Sequence, residues 1–252
     1  MQQQQRLFLE LSYNGTNYHG WQIQPNAVTV QEVLDKALST LFRAKVETVG
    51  CGRTDTGVHA SQFFAHFDLE AEDLLDQRFP QYLNSLNALL PFDIAVKRLF
   101  RVASNAHARF DATQRSYEYH IHHQKNPFKH NFSWLMKDDL DTDAMNLAAS
   151  LLFQYTDFSC FSKSHTQVFT NNCKITRAEW VVTNDGLIFH VSADRFLRNM
   201  VRAIVGTLVE IGRGKAAVES IHQIIESKDR SNAGTSVPAC GLYLTKIEYP
   251  YL

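Results

Sequence analysis

The stretch CGRTDTGVHA, residues 51–60, sets a carboxylate, Asp55, two residues after a guanidinium, Arg53, with the imidazole of His59 just beyond. Gly52 and Gly57 flank the pair, and glycine is what a tight turn uses where φ must be positive. Such a turn does not need an arginine beside its aspartate. A cation at that distance lowers an aspartate's pKa and keeps it ionised near neutrality. An ionised carboxylate in a glycine-tight turn serves as nucleophile or general base, or as half of a structural ion pair tying the turn to a helix. Residue chemistry alone leaves both readings open.

Two further groups carry chemistry. RSYEYHIHH, residues 115–123, alternates strictly, with Tyr117, Tyr119, Ile121 and His123 on one face and Ser116, Glu118, His120 and His122 on the other. Tyr117 is either a core aromatic or a platform for a nucleic-acid base, its hydroxyl left to hydrogen-bond. A helix is predicted over 195–211, with apolar residues at 196/197, 200/201, 204/205 and 208/209 and a narrow polar stripe of Arg195, Arg198, Asn199 and Arg202. Those arginines either face solvent or reach phosphates or Asp55.

The elements that must position these groups can be read from periodicity. RLFLELSY (6–13) is a strand ending in the turn signal YNGTNYHG. Thr29 and Glu32 have capping-box spacing, and Val33, Leu34, Ala37, Leu38, Leu41 and Phe42 repeat at helical period, predicting a helix over 30–43. VETVG and QFFAHFDL read as strands on either side of the Asp55 turn, which makes it a strand-to-strand connection, where functional loops often sit. A helix over 80–90 stops at Pro91, IAVKRLFRV is a strand, and another helix covers 142–153. AEWVVTNDGLIFHVSA is a hairpin turning at Asn184, Asp185 and Gly186; a helix over 216–227 and the strand GLYLTKIEY follow. These elements predict an α+β fold: two similar α+β subdomains, 1–105 and 106–252, forming a largely antiparallel sheet with helices on one side.

Composition narrows the function classes. With 252 residues, 44% hydrophobic and 20% charged, the chain can bury a large core. Its formal net charge of −1 gives no bulk reason for a nucleic-acid partner. The distribution is less even: residues 68–76 are acidic, whereas 98–130 carry Arg98, Arg101, Arg109, Arg115, Lys125 and Lys129 against Asp111 and Glu118. A segregated basic segment is either solvated surface or a polyanion-binding face. The four cysteines form no C-x-x-C pair, which argues against a zinc site or a disulfide framework. MQQQQR runs straight into a strand without a secretory signal, and no apolar run reaches membrane-spanning length, so the expected location is cytoplasmic. No phosphate-binding glycine loop, H-E-x-x-H or G-x-S-x-G occurs. HIHH (120–123) lacks a carboxylate set beyond Glu118, so no metal and no cofactor are expected.

GRTDTGVHA resembles the signature G-R-T-D-x-G-V-H of the TruA family of tRNA pseudouridine synthases. YNGTNYHGWQ, VQEVLDKAL, NALLPFDIAV, HARFDATQRSYEYHI, NMVRAIVGTLVEIG and GLYLTKIEYP resemble further family segments in family order, from residue 7 to 250. The resemblance implies the pseudouridine synthase fold, with an active-site cleft at the junction of the subdomains. It makes Asp55 the catalytic aspartate and Arg53 the arginine that helps expel the target base. Tyr117 becomes the tyrosine packed on the flipped uracil, Arg202 the basic partner of the catalytic carboxylate, and Leu242 and Leu244 the apolar pocket lining. It assigns RNA contacts to the segment holding His107, Ala108, Arg109 and Phe110 and to the loop near 162–167 with His165; Lys125 of the basic segment joins them. One departure is Thr56, where many relatives have alanine; it is small enough for activity to be kept. The implied reaction is isomerisation of uridine to pseudouridine at tRNA positions 38, 39 and 40 in the anticodon stem-loop, by a homodimer. A catalytically silent RNA-binding module of the same fold is the alternative. An unrelated carboxylate hydrolase would need a second acid, and no paired-carboxylate motif offers one.

Overall fold

The computed structural model describes residues 4–70, 76–163 and 170–252. Part of the acidic run (71–75) and most of the loop near 162–167, with His165, lie outside the described residues. The fold is α+β, and the chain divides into two compact units, Met1–Thr113 with Leu244–Leu252, and Gln114–Tyr243.

The first unit is built on β1 (Gln4–Tyr13), which pairs antiparallel with β3 (His59–Glu70) on one side and β4 (Ile94–Arg101) on the other. A strand with partners on both sides and cover on both faces reads as a continuous apolar run rather than an alternation. Leu7, Phe8, Leu9 and Leu11 are accordingly all inaccessible to solvent. Helix α1 (Val30–Phe42) starts as its capping spacing predicts: the Thr29 hydroxyl accepts from the Glu32 amide at 3.3 Å. It buries Val30, Leu34 and Leu38 completely. Strand β2 is shorter than VETVG predicts, only Val49–Gly50, pairing with β3. Ahead of it, helix side chains replace strand partners: Ser39 Oγ accepts from the Val46 amide at 3.0 Å and Asp35 from the Thr48 amide at 3.0 Å. Helix α2 (Phe79–Leu89) leads into β4, and Asn87 holds that edge strand with its side-chain amide. Its Nδ2 donates to Val96 O and its Oδ1 accepts from Val96 N, both at 2.8 Å.

The second unit repeats the succession strand, helix, strand, strand, helix. Strand β5 (Gln114–His122) is joined in parallel at one end by the unforeseen two-residue β6 (Trp134–Leu135). Helix α3 (Thr142–Leu151) is capped by Asp141, whose carboxylate accepts from the Ala144 amide at 2.9 Å. The hairpin of β7 (Ile175–Thr183) and β8 (Gly186–Ala193) follows, and β8 pairs antiparallel with both β5 and β7. Here too an asparagine holds the edge strand: Asn146 of α3 accepts from Trp180 N at 2.7 Å and donates to Trp180 O at 3.1 Å.

Helix α4 is Met200–Gly212, so the predicted start at 195 is wrong and the polar stripe does not exist as read. The Asp194 carboxylate takes the Arg195 amide at 2.7 Å, the Arg198 carbonyl accepts from the Lys163 amide at 3.1 Å, and Asn199 is left-handed at φ 67°. Those bonds hold 195–199 off helical geometry, and Leu197 is buried without a helix. Arg202 alone of the three arginines lies on α4. Helix α5 likewise starts late, at Ser220–Ser227. Strand β9 (Leu242–Glu248) is the last described strand and lies beside β3 in the first unit's sheet; Ile247 N donates to Gln62 Oε1 at 3.0 Å and Ser61 Oγ to Leu244 O at 3.5 Å.

Candidate active site

Residues 51–58 connect β2 to β3 without regular structure. The ladder persists through Cys51, whose amide donates to Phe64 O at 2.8 Å, and stops there. From then on the loop is held by residues 13–21. The hydroxyls of Tyr13 and Thr54 are bonded at 2.9 Å in a buried setting. The Trp21 amide donates to Thr54 O at 3.3 Å and the Gly57 amide to Tyr18 O at 3.3 Å. His59 Nδ1 accepts from the Gly15 amide at 3.1 Å, which leaves the neutral ring's proton on Nε2. Two glycines permit this closeness: a Cβ on Gly20 would stand 2.3 Å from Thr54 O, and one on Gly15 2.0 Å from Val58 O. Tyr18 in turn donates its hydroxyl to Asp93 at 2.6 Å, and burial together with that bond raises its pKa.

Asp55 therefore sits half-buried between fixed points on both sides, in a tight turn closed by Val58 N to Asp55 O at 3.1 Å. Gly57 has φ +77°, the left-handed value for which glycine is suited; Gly52 does not, and a Cβ there would meet nothing within 4 Å. Arg53 is exposed and, among the described residues, makes no hydrogen bond or ion pair. The arginine two places before Asp55 is therefore not the cation that the spacing suggested for it.

The other predicted residues fall in both units. Tyr117 is half-buried on β5, its ring edge-on to Phe196 at 5.1 Å, while its neighbour Tyr119 is core and donates to Pro238 O at 2.8 Å. Arg202, in the first turn of α4, donates from Nε to Val237 O at 2.7 Å. Asp55 belongs to the first unit, Arg202 and Tyr117 to the second. Leu242 and Leu244 are buried on β9. Residues 107–111 form a rigid turn: His107 Nδ1 accepts from the amides of Arg109 and Phe110 at 3.1 and 3.3 Å. Ala108 is buried, its amide bonded to His66 Nδ1 at 3.1 Å and its carbonyl to the Tyr249 hydroxyl at 2.5 Å. That leaves Arg109 and Phe110 as the exposed side chains of the segment, the guanidinium 5.8 Å from the ring centre. Lys125 is exposed.

His120 and His190 are engaged by Glu118. Glu118 accepts from His120 at 2.9 Å, which holds its carboxyl below the usual range, and burial lowers His190 beside it. Among the described residues no group of three or more His, Cys, Asp or Glu is arranged to hold a metal ion. Burial pushes the Cys160 and Cys173 thiols up to about 12, far from the thiolate that nucleophilic chemistry needs. No described helix is long and apolar enough to cross a membrane.

The missing signal in the sequence was the role of residues 13–21. Their glycines and aromatics read as a turn; they are the wall against which the Asp55 loop is set.

Residues 148–250 match the family model described as tRNA pseudouridine synthase. The chain is 52% identical to the tRNA pseudouridine synthase A of Bacteroides fragilis, covering 98% of this chain and 97% of that one. It is 53% identical to that of Bacteroides thetaiotaomicron, over 98% and 91% of the two chains. Against the Bacillus subtilis protein of the same description, identity is 38% over 97% and 99%. The chain belongs to the tRNA pseudouridine synthase A family, a family of isomerases.

Proposed function

We propose that this protein isomerises uridine to pseudouridine in tRNA, at positions 38, 39 and 40 of the anticodon stem-loop, with Asp55 as the catalytic carboxylate. The observation that carries the proposal is the contrast inside one loop. Asp55 is braced on both flanks, whereas Arg53, two residues earlier, is exposed with no partner among the described residues. The first is what a reacting group needs, and the second is what a group waiting for RNA looks like.

In the reaction the N1–C1′ bond breaks, the uracil turns, and a C5–C1′ bond forms. N1 gains a proton and C5 loses one, so the change has no net redox or hydrolysis. The base must leave the stack first, as for other enzymes that act on a base. Arg53 fills the vacated space, Tyr117 packs on the extruded ring, and Leu242 and Leu244 line its pocket. Arg202 is the cationic partner of the carboxylate. Arg109, Phe110 and Lys125, exposed in the structure, contact RNA, with His107 and Ala108 as the frame of their turn and His165 joining from the other loop. The working form is a cytoplasmic homodimer.

The test is incubation with an unmodified tRNA transcript and mapping of pseudouridine by chemical labelling. Modification at 38–40 is expected. Modification elsewhere in the tRNA, or none, overturns the site assignment.

A further inference from the structure

We infer that Tyr13 is a positioning residue for the isomerisation, acting through the Thr54 hydroxyl on the direction in which Asp55 projects; this rests on Asp55 being the catalytic carboxylate. Tyr13 is the last residue of β1, paired with Ala60 on one neighbouring strand and Ile94 on the other, so its backbone is part of the sheet. Its ring lies 5.6 Å from Phe63 and 6.3 Å from Trp21, and Trp21 stacks on Phe63 at 4.1 Å. The hydroxyl at the end of that anchored ring meets Thr54 Oγ1 at 2.9 Å. Thr54 immediately precedes Asp55, and its carbonyl is held by the Trp21 amide at 3.3 Å. Side chain and carbonyl together fix the peptide from which Asp55 departs.

Burial of two hydroxyls is not what a core requires. A Phe and a Val of the same shape would fill the space at nearly equal stability, because replacing both partners of a hydrogen bond leaves no buried group unsatisfied. What the hydroxyl pair adds over the apolar pair is direction. Misplacement of a reacting group by about 1 Å costs on the order of a hundredfold in rate.

The experiment compares Tyr13→Phe, Thr54→Val, the double variant, Thr54→Ser and Asp55→Asn on unmodified tRNA transcript, with tRNA affinity and unfolding midpoint measured for each. Each of the first two singles is expected to lower kcat by about 10- to 100-fold with KM and tRNA affinity within about threefold. The double variant falls no further than the worse single, and Thr54→Ser, which keeps the hydroxyl, recovers most of what Thr54→Val loses. A Tyr13→Phe kcat within about twofold of the parent, losses that multiply in the double variant, or losses that follow the unfolding midpoint would overturn the inference. Turnover by Asp55→Asn removes the underlying reading as well. An inactive Asp55→Asn beside a fully active Tyr13→Phe removes only the positioning role.

Discussion

Setting the short β6 aside, the two units share one order of strand pairing and differ sharply in the length of one strand. In each, the first strand pairs with the third and the third with the second: β1 with β3 and β3 with β2, then β5 with β8 and β8 with β7. In the second unit the second strand runs nine residues, Ile175–Thr183, and returns to β8 through a tight turn at Asn184 and Asp185. In the first it is only Val49–Gly50, and residues 51–58 are loop. Where the ladder runs on, backbone groups of the two strands satisfy one another. Where it is given up, the backbone needs other partners, and residues 13–21 supply them at fixed points around Asp55. A hairpin position has been turned into a loop braced by residues 13–21.

Four sets of substitutions test that contrast. The largest effect is expected from Asp55→Asn, which keeps shape and removes charge: isomerisation falls to the detection limit while tRNA affinity stays within about tenfold, or 1.4 kcal/mol. Pseudouridine formed by this variant, with deamidation excluded by mass spectrometry, would break the comparison at its root. Next come two glycines in matching trouble. A Cβ on Gly15 would stand 2.0 Å from Val58 O and one on Gly186 2.0 Å from Ile121 O. Both Gly→Ala variants should lose about 1–3 kcal/mol of stability. Below the unfolding transition only Gly15→Ala should lose kcat; equal losses would mean that the Asp55 loop is no more demanding than the hairpin.

A pH effect is expected from the buried histidines. Burial holds His66 down at about 4, against an ordinary value of 6.5, and lowers His122 in the second unit as well. The unfolded chain binds the proton first, so stability is complete above pH 6.5 and falls as pH drops toward 4, by at most about 3 kcal/mol for His66. Denaturant titrations at pH 7.5 and pH 5 should show a flatter dependence in His66→Gln, and a smaller flattening in His122→Gln. An unchanged slope in His66→Gln refutes the assignment. The smallest effect is the most symmetrical. Asn87→Ala and Asn146→Ala each lose a pair of hydrogen bonds to an edge strand and should cost about 1–2 kcal/mol each. Markedly unequal costs would show that the two edges are not held alike.

Much of this was legible in the residues. Thr29 and Glu32 announced α1, Asn184 and Asp185 the hairpin, and the oddity of Arg53 before Asp55 pointed to the loop. The failures have physical causes. Phe196 and Leu197 continue the apolar period of α4, so nothing in the pattern revealed that the carboxylate of Asp194 and the carbonyl of Arg198 are bonded elsewhere. The shortness of β2 was hidden because Val46 and Thr48 have strand character but bond to side chains of α1. The clamp around Asp55 was out of reach for a different reason: its partners stand some forty residues away along the chain, as Tyr13 does from Thr54, and no local pattern encodes such a distance.

The placement of β9 bears on the order of folding. Residues 244–252 complete the first unit, yet the whole of the second unit, Gln114–Tyr243, precedes them in the chain. Synthesis proceeds from the N-terminus, and a sheet cannot close on a strand not yet made. The second unit thus has all of its sequence available while the first still lacks the strand beside β3 and the Tyr249 hydroxyl bonded to Ala108. Joining residues 244–252 to the rest of their unit closes a loop of more than a hundred residues, at an entropic cost that grows only slowly with length. During synthesis the unit that carries Asp55 is therefore the first to be begun and the last to have its sequence complete.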